Sequence, residues 1–108
     1  MAGMTGDTAS ASVEASSDPS GVALVRVKGE LDLSTVPDVE VKIEPHVAAA
    51  RDGIVFDLSA VTFMDSSGIA MLLRAAERVG SIEVRDPSEA VRLVIRATGL
   101  ADVLHVAP

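Results

Sequence analysis

Two adjacent serines follow an aspartate in FMDSSGIAMLL, residues 63–73. Hydroxyls at such a junction have two chemistries open to them. Asp65 or Ser66 can cap the helix that begins here, accepting from its first free N–H groups and contributing about 1 kcal/mol. Alternatively, Ser66 or Ser67 is a surface hydroxyl that accepts a phosphoryl group, since the N–H groups and dipole of a helix amino terminus favour an added anion. Gly68 leaves the approach uncrowded. A helical wheel extended backwards from Ile69 puts Ser67 farther from the buried face than Ser66, so the residues alone leave the choice between the two open.

Other constellations are sparse. Asp32, Asp57 and Asp65 could converge at strand ends, though carboxylates there are more often caps and solvated tips. His46 and His105 are the only imidazoles, and neither stands at a telling distance from acids or hydroxyls. There is no GxGxxG or GxxxxGK[ST] loop to cradle phosphate. DSSG also lacks the first glycine of a GxSxG elbow, so Ser66 as a hydrolase nucleophile has no visible base. Asp57 closes an apolar run as a phosphoacceptor aspartate does, but that chemistry needs a late lysine, and Lys28 and Lys42, both early, are the only two.

The totals narrow the field further. A chain of 108 residues with 48% apolar and 23% charged residues describes one ordinary globular domain. Phe56 and Phe63 are its only aromatics, so the core rests on Val, Leu, Ile and Ala. That scarcity and a net charge of −7 argue against nucleic-acid binding, which needs stacking platforms and a cationic face. The absence of cysteine removes disulfides, thiolate chemistry and zinc–thiolate sites. MAGMTGDTAS has neither the basic nor the apolar region of a signal peptide, and no apolar run approaches a membrane span. The expectation is a cytoplasmic protein with no cofactor of its own, a monomer or weak dimer.

The elements that position the serines follow from periodicity. Residues 1–7 read as a flexible lead and 8–108 as the domain. Ala9, Ala11, Val13 and Ala15 alternate with polar residues, and after the turn SSDPSG a second alternating run begins at Val22, predicting a hairpin of strands near 9–15 and 22–28. Val36, Val39, Ile43 and Val47 form a helical stripe over 36–50, opened by Ser34 or Thr35, with a break or kink near Pro45. Val39, Val41 and Ile43 also alternate, which is the rival strand reading. GIVFDLS predicts a buried strand over 53–58. Ile69, Leu72, Leu73 and Ala76 predict a helix over 67–79, and SIEVRD a strand over 81–85. Asp86 as N-cap, Pro87 at the first position and Glu89 three residues after the cap open a helix over 87–98. Its inward residues are Ala90, Val91, Val94 and Ile95, with Gly99 as its left-handed stop and Leu100 behind it. ADVLHVAP closes the chain with a short helix or strand. The fold class is α/β: a mixed, mostly parallel sheet flanked by helices, with an N-terminal β-hairpin.

Three stretches carry a resemblance: VKGELDLSTVP, GIVFDLSAVTFMDSSGIAMLLRAA and DPSEAVRLVIRATGLADVL. In order, from residue 9 onward, the chain resembles the STAS domain of anti-sigma-factor antagonists. The resemblance implies a switch protein, not an enzyme. Its unphosphorylated form binds an ATP-using anti-sigma factor and serine kinase, freeing a sigma factor. Phosphorylation of the serine directly after the motif aspartate, here Ser66, ends that binding until a serine phosphatase resets it. Asp32, Asp65, Ser66, Ser67 and Gly68 are then the partner-binding set. Two departures stand out: the span from Gly68 to Pro87 is several residues shorter than in many members, and Pro45 falls inside the first helix. The other implied reading is a STAS scaffold or regulatory subunit of a transport or sensor complex, its serines purely structural.

Overall fold

Strand and helix alternate in the order β1 (Ala11–Ser17), β2 (Ala23–Leu31), α1 (Val36–Ala49), β3 (Ile54–Met64), α2 (Ser66–Val79), β4 (Ile82–Arg85) and α3 (Glu89–Thr98) in the computed structural model, which describes residues 10–107. The expected lead at 1–7 and the expected start of the first strand at residue 9 lie outside the described residues. The sheet order is β1-β2-β3-β4, antiparallel between the first two strands and parallel for the rest. This is the mixed, mostly parallel sheet that the pattern predicts.

Both crossovers run in the same direction along the sheet, so right-handed connections put α1 and α2 on one face. They meet there: Arg74 of α2 forks onto Glu40 of α1 at 2.8 and 2.9 Å, and Arg78 pairs with Glu44 one turn on. α3 packs against β3. Successive residues Ile54, Val55 and Phe56 are all buried, and neighbours on a strand point to opposite faces. The sheet is therefore covered on both sides, with α3 over the face away from α1 and α2. The chain continues past α3 through a turn over residues 101–105 to a single isolated parallel bridge between Val106 and Val84, so the closing segment forms neither the expected short helix nor a full strand.

In α1 the helical stripe prevails over the rival strand: Val36, Val39, Ile43 and Val47 are its buried residues, and Val41 is exposed. The expected break at Pro45 is absent, and the helix runs through it. Proline withdraws its own N–H from the carbonyl of Val41 and crowds that carbonyl with its ring. Val41 and Pro45 are both exposed, so the carbonyl on this turn can tilt outward towards solvent. One turn later the helix closes normally, with the Ala50 N–H bonded to the His46 and Val47 carbonyls.

Two boundaries move for physical reasons. β3 extends to Met64, six residues beyond the expected 58, because β2 also runs on to Leu31 and the two pair to the end, Leu31 opposite Met64. The register shifts between Gly29 and Glu30. Gly29, at φ +101°, permits the irregularity, since a Cβ there would lie 2.3 Å from the Ser10 carbonyl oxygen. The last helix starts at Glu89, not 87. Asp86 is not its N-cap but a turn residue at φ 50°, and Ser88 caps instead, its hydroxyl accepting from the Val91 N–H at 3.3 Å. The Ser88 N–H is meanwhile held by the Leu58 carbonyl, which fixes Ser88 as the entry point and leaves Pro87 outside the helix, where it is buried. At the far end Gly99 is left-handed and Leu100 half-buried behind it, as expected.

Candidate functional site

Parallel strands deliver their following loops to one end of the sheet, and here β2 and β3 deliver the loops that carry Asp32 and Asp65. The pairing of Leu31 with Met64 makes the next residues neighbours. The Asp65 N–H donates to the Leu31 carbonyl at 3.1 Å, tying the start of α2 to the end of β2.

Each loop is built on its aspartate. Asp32 Oδ1 accepts from the N–H groups of Ser34 and Thr35 and from the Ser34 hydroxyl, at 2.9, 3.1 and 2.7 Å. These bonds, the hydroxyl of Ser34 first among them, hold the Asp32 carboxyl below the usual aspartate range. Thr35 is the buried polar residue of this turn. Its hydroxyl accepts from the Asp32 N–H at 3.0 Å and donates to the Glu30 carbonyl at 2.7 Å. Thr35 occupies the N-cap position of α1 without a side-chain capping bond. Its hydroxyl stitches the loop to the strand, a role the sequence reading missed. A threonine directly before Val36, the first residue of the helical stripe, was the available signal.

Asp65 caps α2, its Oδ1 accepting from the Ser67 N–H at 2.8 Å. Ser66 is the first helical residue and exposed, whereas Ser67 is half-buried. The wheel put Ser67 farther from the buried face than Ser66, and the burial runs the other way. In the first turn the helix end itself is open, so exposure follows distance from the sheet and not angle around the axis. The N–H and hydroxyl of Ser66 have no hydrogen-bond partner among the described residues, as expected of a first-turn N–H. A group added there meets water, not protein.

Three serines that stand two residues after an aspartate are, by contrast, tied back to it. In Asp18-Pro-Ser20, Asp32-Leu-Ser34 and Asp57-Leu-Ser59 the carboxylate accepts both the serine N–H and the serine hydroxyl, the hydroxyls at 2.6–2.7 Å. At Asp65-Ser-Ser67 only the N–H bond forms.

Gly68 takes a different part from the one expected. It is buried, and a Cβ on it would lie 2.8 Å from Met64 Cγ and 3.2 Å from Leu31 Cβ. Its bareness lets the helix approach the strand ends and leaves nothing for a visitor to touch. Asp57 does not join the other acids. It is the fourth residue of β3, opposite Arg26 and Arg85 in register and 4.0 Å from the Arg26 guanidinium. Of the histidines, His46 is half-buried in the last turn of α1 and His105 bonds the Ile82 carbonyl at 2.8 Å. Neither approaches Ser66. Among the described residues no group of three or more His, Asp or Glu side chains is placed to hold a metal ion, and no helix is long and apolar enough to cross a membrane. The sequence reading also passed over two apolar side chains at this end of the sheet: Leu33, 78% exposed beside Asp32, and Phe63, 48% exposed near the end of β3.

Comparison with known proteins points one way. The STAS-domain family model matches residues 15–108. The anti-sigma-F factor antagonist RsfB of Mycobacterium tuberculosis is 40% identical over 63 residues, 58% of this chain and 52% of that protein, so the match spans about half of the relative's length. The anti-sigma-B factor antagonist of Staphylococcus epidermidis is 29% identical over 86 residues, covering 76% of this chain and 80% of that protein. The crystal structure of an anti-sigma factor antagonist from Mycobacterium paratuberculosis superposes with a TM-score of 0.81 at 34% identity, over 91% of this chain and 86% of that one.

Proposed function

The chain belongs to the STAS-domain family, and from that premise we propose that it is an anti-sigma-factor antagonist switched by phosphorylation of Ser66. The names of its relatives support the first half. For the second half, the observation that carries it is the contrast at the head of α2: an exposed Ser66 hydroxyl without a partner beside a half-buried Ser67. The protein acts by binding, and the catalysis belongs to its partners, an anti-sigma factor that is also an ATP-using serine kinase and a serine phosphatase.

The docking surface in this reading is the loop end of the sheet. Leu33 and Phe63 supply apolar anchors of the kind that dominate interface energy, and Asp32, Asp65 and Ser66 supply the polar part. Gly68 contributes from beneath, through packing. Because Asp65 already satisfies the Ser67 N–H, an incoming phosphate on Ser66 finds the remaining N–H of Ser66 and the helix dipole, with no arginine close in sequence to clamp it.

The test is incubation of the purified chain with ATP and its cognate anti-sigma kinase, read by intact mass and by pull-down. Ser66→Ala is expected to bind the kinase and take no phosphate. Incorporation that persists in Ser66→Ala and vanishes in Ser67→Ala overturns the site. Absence of both binding and incorporation favours the scaffold reading, in which the serines are structural.

A further inference from the structure

Five of the chain's nine cations sit in ion pairs: Arg26, Lys42, Arg74, Arg78 and Arg85. The other four, Lys28, Arg51, Arg92 and Arg96, have no acid within 4 Å among the described residues. Lys28 and Arg51 stand apart on β2 and on the loop after α1. Arg92 and Arg96 are both on α3, four residues apart, so their side chains rise on the same face one turn from each other. Two like charges at this spacing destabilise an isolated helix slightly. The acids nearest in the chain, Asp86, Glu89 and Asp102, do not relieve it with a salt bridge. In a chain of net charge −7, such a pair is a local reversal of sign.

Apolar surface accompanies it. Leu93, between the arginines in sequence, is 53% exposed. Beside the arginines lies an open hollow of 190 Å³, lined by Arg92, Ile95, Arg96, Ala101 and Val106. Its floor is aliphatic and its rim is guanidinium, with room for one large apolar side chain.

We propose that this face of α3 is a second protein-binding surface, and that its occupant is an acidic segment of a partner presenting an apolar residue between carboxylates. Guanidinium forks match carboxylates with two parallel hydrogen bonds, and the aliphatic hollow between them takes the apolar residue. A membrane surface fits less well, because polybasic attachment uses clusters of four to eight cations. Nucleic acid fits less well for the same want of charge. The surface is separate from Ser66: α3 covers the opposite face of the sheet from α2, and Val106 pairs with Val84 of β4, well back from the loop end. Both surfaces can therefore be filled at once, and the proposal does not depend on the phosphorylation reading.

The experiment is fluorescence polarisation of the full chain with a short fluorescein-labelled synthetic peptide of paired glutamates around single leucines. Saturable binding is expected, weakening as salt rises from about 50 to 200 mM as charge screening requires. Arg92→Ala/Arg96→Ala is expected to weaken it about tenfold or more, Leu93→Ser several-fold, and Arg92→Lys/Arg96→Lys to an intermediate degree because lysine lacks the fork. Lys28→Ala/Arg51→Ala and Ser66→Ala are expected to leave affinity unchanged. Matching thermal melts show that the variants are folded, which exposed Arg→Ala changes on a helix favour. The proposal fails if Arg92→Ala/Arg96→Ala leaves affinity intact, or if Lys28→Ala/Arg51→Ala lowers it equally. It also fails if a polyglutamate without leucine binds as tightly, or if vesicles of anionic lipid displace the peptide.

Discussion

The N–H of Asp65 donates to the carbonyl of Leu31 at 3.1 Å, so the residue before Ser66 hangs from the strand whose loop carries Asp32 and Leu33. The two loops of the candidate interface are one mechanical unit, and disturbing either is expected to register in the other.

Phosphate on Ser66 is expected to block docking without changing the fold. A phosphoserine adds about −1.5 to −2 charges. At the head of α2 the dipole returns about 0.3–1 kcal/mol, partly offset by Asp65 alongside. That is small against a folding free energy of about 5–15 kcal/mol. At an interface shaped for a hydroxyl, an unpaired buried charge costs about 3–5 kcal/mol, or roughly two to three and a half orders of magnitude in affinity. Titration calorimetry and thermal melting on modified and unmodified protein check this. A melting shift of many degrees would mean that the switch works through folding.

Gly68→Ala is expected to destabilise the protein. Alanine improves helix propensity by about 1 kcal/mol, but its Cβ would stand 2.8 Å from Met64 Cγ and 3.2 Å from Leu31 Cβ, and overpacking costs about 1–3 kcal/mol. A net loss of about 1 kcal/mol lowers the melting temperature by about 4–8 °C. Met64→Ala in the same chain should restore part of it, so the double variant should fall short of the sum of the two single losses.

Thr35→Val keeps the shape of the side chain and removes both of its bonds. The Asp32 N–H and Glu30 carbonyl then lose a partner in a buried site, at about 1–3 kcal/mol for a polar group left unsatisfied. Urea unfolding should show a lower midpoint at unchanged slope, with Thr35→Ser near the parent. Partner affinity should fall as well, since the loop bearing Leu33 loosens.

Acid should loosen the same loop. The Asp32 carboxyl is held below its ordinary value, chiefly by the Ser34 hydroxyl, and Asp18 is lowered in the same way by Ser20. A depressed carboxylate contributes stability that is complete above the unfolded pKa of about 3.9 and is lost as the pH falls through the lower folded value. A plot of melting temperature against pH should be flat above about pH 5 and bend downward below pH 4. Asp32→Asn should begin lower and bend less.

Hydrophobic spacing made the element order legible, as did the buried face of α1 and the position of the serine pair. It could not reveal Pro45 continuing a helix, because the loss of one N–H on a solvent-facing turn depends on where that turn points. Asp86-Pro87 reads as a helix start until the Leu58 carbonyl is seen holding the Ser88 N–H, a contact thirty residues away in sequence. Gly68 misled for a related reason. A glycine after serines looks like open space, and only the pairing of Leu31 with Met64 shows that the space is already taken. Nor could the residues show that Ser66 is exposed and Ser67 half-buried, the contrast on which the proposal for Ser66 rests.

The aspartate-anchored serines bear on how a kinase substrate is chosen. Ser20, Ser34 and Ser59 all follow an acid at the spacing of Ser67, and in the folded chain each hydroxyl already donates to that acid. A modifying enzyme that recognised acid-flanked serines would meet several decoys in the bare sequence. The fold withdraws these three, whereas Ser66, like Ser16 and Ser17 on β1, stays exposed. Selectivity of this sort would belong to the tertiary structure, not to the bare sequence around each serine. Partial unfolding or a proteolytic nick would widen the set of modified serines instead of merely slowing the reaction.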